Sequence, residues 1–282
     1  MRIDQLGRLL VGTTDPEGHK LSTSNNPLIQ LESADSNDYG RMSLIYNGNN
    51  GVGPGFWFGK SRGTTIGSNV GVADGDQLGG MFFHAADGDD KYGRAAAIVC
   101  YADGTQGTNI TPGKIEFSTT GPGAAATTQR MLITSTGYVT TPTQFHIVVQ
   151  RSTNQTGYNP SQGFGTGIVY NVAEVVQGTT SAALNTSNGR VTVPVDGLYL
   201  LEASGYSDQS VFTQGWFIKN GSRMAFSDFM DNSGNSQTVN CVGVQKLSAN
   251  DEIGYKAYGS GSTSTTIVST SNHTWMKITL LG

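Results

Sequence analysis

Apolar positions along this chain recur with a period of two over short runs, separated by turns rich in glycine, asparagine and aspartate. That period puts successive side chains on opposite faces of strands, and almost no window carries the spacing of an amphipathic helix. The clearest corner lies in Gly189–Leu201. Val191 and Val193 point to one face and Thr192 to the other. Pro194 removes a ladder donor and closes that strand. Asp196-Gly197 is expected to turn the chain, with Gly197 supplying backbone angles costly for other residues. Leu198 to Leu201 restart as a continuous apolar run, which predicts a strand covered on both faces.

The C-terminal half repeats this rhythm. Phe145, Ile147 and Val149 alternate with His146, Val148 and Gln150, and Ser152–Gly157 reads as a loop. A strand pair is expected over Ile168–Val176. Trp216–Phe226 is an Asn220-Gly221 hairpin with apolar arms, the strongest short-range signal in the chain. Thr238–Leu247, Glu252–Tyr258, Thr263–Val268 and Trp275–Leu281 bring the half to about ten short strands, as in a sandwich or jelly roll. Tyr199 and Trp275, on central strands, belong to the core on this reading.

The N-terminal half has another grain. Three Ala-Asp-Gly turns, at Asp74, Asp87 and Asp103, alternate with the apolar runs Gly80–His84 and Ala95–Tyr101. Met42–Tyr46, Gly55–Gly59 and Lys114–Phe117 are predicted strands. A short unit occurs twice: aligning Ile3 with Ile133 also aligns Gly7 with Gly137 and Leu9 with Val139. A strand-glycine-strand unit this short cannot bury its apolar edge alone, so stacking against partner chains is its physical use. Thr140–Thr143, broken by Pro142, marks the boundary. The predicted organisation is a shaft-like segment 1–14, a glycine-rich β domain 15–129, a shaft-like segment and linker 130–142, and a head 143–282.

Two resemblances follow from these motifs. Arg130-Met131-x-Ile133-x-x-x-Gly137-x-Val139 resembles shaft segments of bacteriophage tail fibres and tailspikes, and residues 55–140 look like a domain common in phage fibres. The ordered series Phe145; Asn188-Gly189; Val193-Pro194, Gly197 and Tyr199; Asn220-Gly221; Leu247, Asp251 and Ile253; and Trp275–Leu281 resembles the complement globular-head and tumour necrosis factor-like jelly-roll family. Lys277 departs from it, standing where a small residue is usual, as does Leu201, where an aromatic is common. These resemblances imply an all-β homotrimer: the distal part of a viral tail fibre, attaching the virion to a bacterial surface glycan or outer-membrane receptor and joined to the remaining fibre and virion proteins. A depolymerising tailspike and a bacterial surface or spore-coat adhesin head are the alternatives. Met1, opening straight into a shaft-like unit, suggests a piece of a longer fibre.

Composition narrows the chemistry. Charged residues are 13% of the chain and glycines number 39 of 282, a turn-rich β composition. A net charge of −4 leaves no electrostatic footprint for nucleic acid, and no apolar run approaches a membrane span. Cys100 and Cys241 read as buried free thiols with no ligand spacing around them. His19, His84, His146 and His273 are scattered and in no triad context, so no catalytic residue is assigned. Asp87, Asp89 and Asp90 are the densest carboxylates and could offer oxygens to calcium, or stand as a solvated hairpin tip; no other cofactor is expected. Asp74-Gly75-Asp76 reads as the same kind of tip. Sugar recognition pairs aromatic rings with amides, and the aromatics in or beside loops of the head are Tyr158, Tyr206, Phe212, Trp216, Phe229, Tyr255 and Tyr258. They are the candidate receptor-binding residues.

Overall fold

The computed structural model describes residues 2–3, 9–11, 28–33, 41–179, 183–224, 227–233, 236–259, 264–269 and 273–282, with backbone alone at 2, 10 and 227–233. The described chain is all-β and divides into two compact units, Met1–Thr141 and Pro142–Gly282. No helix in it is long and apolar enough to cross a membrane.

In the first unit β1 (Arg2–Ile3) pairs antiparallel with β2 (Leu9–Val11), and β2 pairs in parallel with β3 (Ile29–Leu31). A second sheet is a meander in chain order: β4 (Gln77–Ala85), β5 (Gly93–Ala102), β6 (Gly113–Thr120), β7 (Thr127–Ile133) and β8 (Val139–Thr140). The duplicated unit folds the same way twice. Ile3 faces Leu9 across β1 and β2, and Ile133 faces Val139 across β7 and β8. Gly137 makes that second turn at φ +85°, in the left-handed region. Two expected strands fail: Met42–Tyr46 and Gly55–Gly59 form none, and their backbone finds no backbone partner among the described residues.

The second unit is a closed sandwich. Its strands are β9 (His146–Gln150), β10 (Gln155–Tyr158), β11 (Val172–Gln177), β12 (Leu184–Asn185), β13 (Arg190–Thr192), β14 (Gly197–Ser207) and β15 (Gln214–Lys219). They continue through β16 (Ser222–Arg223), β17 (Ser227–Ser233), β18 (Ser236–Leu247), β19 (Glu252–Tyr258), β20 (Thr265–Ile267) and β21 (Trp275–Leu280). One sheet runs β17-β18-β14-β21-β9-β11, with β20 and β10 continuing past the Ser207 end of β14. The other runs β12-β13-β19-β15-β16. Strands β13 to β15 and β18, β19 and β21 alternate between the sheets, which makes a jelly roll.

Alternation decides which side chains meet inside. Ile147 and Val149 of β9, Tyr199, Leu201 and Ala203 of β14, Val239 and Cys241 of β18, and Met276 and Ile278 of β21 are buried. They pack in one core with Val191, Phe217, Ile253 and Tyr255 of the other sheet. Phe145 stands edge-on to Tyr199 at 6.0 Å, and the Tyr199 hydroxyl donates to the Val195 carbonyl at 2.8 Å, tying the corner to the strand it feeds. Each such aromatic contributes roughly 2–3 kcal/mol by burial.

The corner itself departs from expectation in two ways. Gly197 does not adopt a left-handed φ. It is glycine because a Cβ there would come within 2.5 Å of Leu280 Cδ1. The run Leu198–Leu201 is not covered on both faces: Tyr199 and Leu201 are buried, while Leu198 stays 44% exposed on the outer face. Trp275 likewise lies on the outer face, half-buried, since Met276 and Ile278 take the core parity. Residues 155–157, the end of the expected loop Ser152–Gly157, belong to β10, which pairs with β20, and over Ile168–Val176 only β11 is a strand. Ile168 instead donates its N–H to the Tyr255 carbonyl at 2.8 Å. Cys241 is buried as expected; Cys100 is half-buried.

Candidate functional site

The outer face of the second sheet carries a strap, residues 159–167, that leaves β10 and returns at Ile168. Glycines let it lie close: a Cβ at Gly167 would meet the Tyr255 carbonyl oxygen at 2.6 Å. Cations on the sheet hold it down. Lys256 donates to the Thr166 carbonyl at 3.1 Å and the Asn159 carbonyl at 3.5 Å. Arg190 donates to the Gly165 carbonyl at 3.1 Å while pairing with Glu252. Lys256 is fully buried, and burial lowers its pKa to about 8. Its ammonium lies 5.3 Å from the centre of the Tyr158 ring.

Phe164, at the middle of the strap, stacks on Trp216 with centroids 4.8 Å apart, and Trp216 stacks on Tyr258 at 5.0 Å. The Arg223 guanidinium lies 3.1 Å from the centre of the Trp216 ring. Beside the strap opens a cleft of about 260 Å³, lined by Gln155, Asn159, Gln162, Thr166, Ser187 and Asn188 among others. Gly157, Tyr158, Gly165, Gly167 and Val169 complete the lining, so amides and hydroxyls share the walls with apolar groups, and Phe164 of the aromatic cluster adjoins Gly165 in the strap. Amides that bond hydroxyls beside rings that pack on C–H groups are the two components of sugar recognition.

The candidate aromatics separate on burial. Trp216 and Tyr258 come together in the cluster. Tyr158 and Phe212 pack edge-to-face at 6.2 Å inside the head, with the Tyr158 hydroxyl donating to the Ala257 carbonyl. Burial raises the Tyr158 pKa accordingly. Tyr255 is fully buried, and its hydroxyl donates to the Val239 carbonyl at 2.9 Å. Tyr158, Phe212 and Tyr255 are therefore core residues, Tyr158 turned inward from the end of β10, Phe212 from the loop before β15 and Tyr255 from β19, while Tyr158 also borders the cleft. Trp216 is 8% exposed, covered by Phe164 and Arg223. Tyr206 is half-buried and tilts against His273 with centroids 5.1 Å apart, away from the other candidates in sequence and in contact. Phe229 lies on β17, whose side chains are outside the described residues.

Phe164 and Lys256 were missed as participants. Each carried a signal: Phe164 is a lone aromatic in the run Gly163-Phe164-Gly165-Thr166-Gly167, and Lys256 is a charge inside an otherwise apolar strand.

The carboxylates of the first unit are engaged by their own turns. Asp87 accepts the N–H groups of Asp89 and Asp90, both at 2.9 Å, and Asp90 accepts that of Tyr92 at 2.7 Å. Those hydrogen bonds lower the Asp87 pKa. They form a hairpin tip between β4 and β5, and among the described residues no group of three or more His, Cys, Asp or Glu side chains is assembled to hold a metal. Asp76 is not the solvated tip expected of it: Arg62 grips both of its oxygens, at 2.7 and 2.8 Å, and holds its pKa well below the usual carboxylate range. Ser135, with the Lys114 ammonium, brings Asp103 down to about 2 and ties the β7–β8 turn to the end of β5. A shallow cleft of about 770 Å³ lies near these clamps, lined by Lys60, Ser61, Asn69, Gln106 and Thr108 among others. No described carboxylate pair lines either cleft. His19 lies outside the described residues; His84 meets the Tyr92 carbonyl at 3.2 Å and His146 the Thr279 hydroxyl at 2.8 Å.

No family model and no curated protein matches this chain. Among solved structures it is similar to the globular domain of zebrafish complement 1qA protein, at 14% identity and TM-score 0.35, over 49% of this chain and 98% of that one. It is also similar to Eiger TNF from S. frugiperda, at 14% identity and TM-score 0.34, over 49% of this chain and 93% of that one. The jelly-roll description of the second unit rests on its own strand order and register.

Proposed function

We propose that this chain is the distal part of a viral tail fibre, a homotrimeric receptor-binding protein that attaches the virion to a bacterial surface glycan. The observation that carries this reading is the outer face of the β17-β18-β14-β21-β9-β11 sheet. Leu198, Val175, Val242 and Val244 stand 44–54% exposed there, around half-buried Leu200 and Val148. A soluble domain rarely leaves so many aliphatic side chains on one face unless that face meets a partner. Closed three-fold assembly would cover it with the same face and edge of two further copies. The shaft-like repeat, whose flanking strands pair in the same register at both of its occurrences, makes the same demand. The strap cleft, lined by Gln155, Asn159, Gln162 and Asn188 around Tyr158, is the receptor site on this reading.

Three weak sites on a rigid trimer, with several trimers per particle, strengthen binding by roughly 10²–10⁴ without new chemistry. The test is binding of the fluorescently labelled chain to a panel of bacterial strains and their surface-polysaccharide mutants. Binding lost in polysaccharide mutants and in the Asn188→Ala and Gln162→Ala variants supports the reading. Binding to no strain, or equal binding after both substitutions, removes the glycan site from the strap cleft.

A further inference from the structure

The two units differ in one physical respect: among the described residues the second has a core of large apolar side chains and the first does not. Among the described residues of the first unit, the buried apolar side chains are Ala97, Val99 and Ala102, all small. Burial of three small residues cannot offset the conformational entropy of ordering such a unit, which runs to about 1–2 kcal/mol per residue. The apolar side chains that should form a core are present but only partly covered. Register puts Met81, Ile98, Phe117 and Met131 in one row across β4 to β7, and Cys100, Ile115, Ile133 and Val139 in the next row. Met81 is 51% exposed, Val139 58% and, further along β4, Phe83 53%.

The segment from Met42 to Lys60 shows the same deficit in its backbone. It carries two short apolar runs, Met42–Tyr46 and Phe56–Phe58, yet it makes no backbone–backbone hydrogen bond among the described residues. Its side chains are bare as well, with Ile45 79%, Phe56 64% and Trp57 94% exposed. One contact shows where it belongs. Phe58 sits over Gly79, where a Cβ would approach the Phe58 Cβ at 2.5 Å, at the corner of the partly covered apolar face. The segment therefore starts across that face and leaves most of it open.

We infer that the first unit completes its core only between copies of this chain: segment 42–60 of one copy lies on the β4–β7 face of the next and hydrogen-bonds there. The inference rests on the homotrimer reading. A transient partner does not fit, since the unit would lack a core whenever that partner was absent. A permanent partner must be present in equal number wherever the chain folds, and a second copy satisfies that directly. An extended segment that lacks backbone partners and a face that lacks side chains are complementary needs, and identical copies supply both.

The experiment is hydrogen–deuterium exchange on the full chain, with its oligomeric state read by light scattering under the same conditions. The inference expects a trimer in which the amides of 42–60 exchange at least about a hundredfold slower than an unprotected peptide. It also expects that protection to vanish in the double variant Met81→Glu/Phe83→Glu. Both residues are more than half exposed in one chain, so a merely intramolecular face would tolerate the change. A trimer with unprotected 42–60 amides overturns the inference and leaves the trimer standing. A trimer with protection unchanged in the double variant overturns the assignment of the β4–β7 face. A monomer overturns the homotrimer reading and this inference with it.

Discussion

Lys277 Nζ lies 2.6 Å from a Glu202 carboxylate oxygen, the two residues facing each other across β21 and β14 in the middle of an aliphatic outer face. The pair gives a long cation on this face its counter-charge. On a face that the proposed trimer buries, a charge needs a partner on the same face. Substituting either residue alone, as Glu202→Gln or Lys277→Met, is expected to weaken self-association tenfold or more, about 1.4 kcal/mol per tenfold. The double variant Glu202→Leu/Lys277→Met should associate as tightly as the original chain or better, because replacing both charges also removes their desolvation cost. Sedimentation equilibrium across the four proteins reads the difference; equal dissociation in all four would place the face outside any interface.

His146 borders the same pair. It meets Thr279 on β21 and faces Gln177 on β11. Its pKa is lowered from 6.5 chiefly by burial, then by the Lys277 ammonium, with Glu202 opposing. The folded state thus prefers the neutral ring, and below pH 6.5 the unfolded chain binds the proton first. Stability contributed by the neutral ring is full above pH 6.5 and declines from there down to the lower folded pKa. Thermal unfolding between pH 7.5 and 5 should show a falling Tm that flattens in His146→Gln, and parallel curves would remove His146 as the source.

Much of the head was legible because its cues are local. Asn220-Gly221, the Phe145–Val149 alternation and the Pro194 stop each act within a few residues, and each lies where local chemistry puts it. What was illegible depends on contacts distant in sequence. Gly197 is set by Leu280, eighty-three residues away in the numbering, so no local rule for glycine could identify its role. The burial of three aromatic candidates was illegible for a related reason. Tyr158, Phe212 and Tyr255 stand in or beside loops in sequence, but packing against distant residues turns their rings into the core. Met42–Tyr46 and Gly55–Gly59 are short apolar runs like those of strands, and a strand also needs a neighbour that the pattern cannot supply.

Asn220 ties the β15–β16 turn to the start of β19. It sits at φ +50°, its amide donates to Asp251 at 2.7 Å, and its amide oxygen accepts the Glu252 N–H at 2.8 Å. Asn220→Ala loses both hydrogen bonds and strains the left-handed backbone, for an expected loss of about 2–3 kcal/mol. Asn220→Gly keeps the backbone freedom and should lose about 1 kcal/mol less. Urea unfolding of the three proteins separates the terms. Identical midpoints for the two variants would show that the hydrogen bonds alone carry the effect.

Lys256 offers the sharpest reading of the strap. Its folded pKa of about 8 lies below its ordinary 10.5, so between those pH values the unfolded chain binds more protons and stability rises with pH. Below pH 8 the ammonium is charged in both states and the cost of burying it is fully present. Above 10.5 it is neutral in both and that cost is gone. The rise approaches 1.4 kcal/mol per pH unit within the window. Tyrosines titrate over part of the same range, so the informative quantity is the difference from Lys256→Met, which keeps the stem's packing and removes the titration. That variant should lack the rise and, at pH 7, lie within about 1 kcal/mol of the original chain, since a cation held only by carbonyls is replaced by a well-packed apolar chain. A rise of the same slope in both proteins would show that Lys256 is solvated in solution and that the strap is open over it.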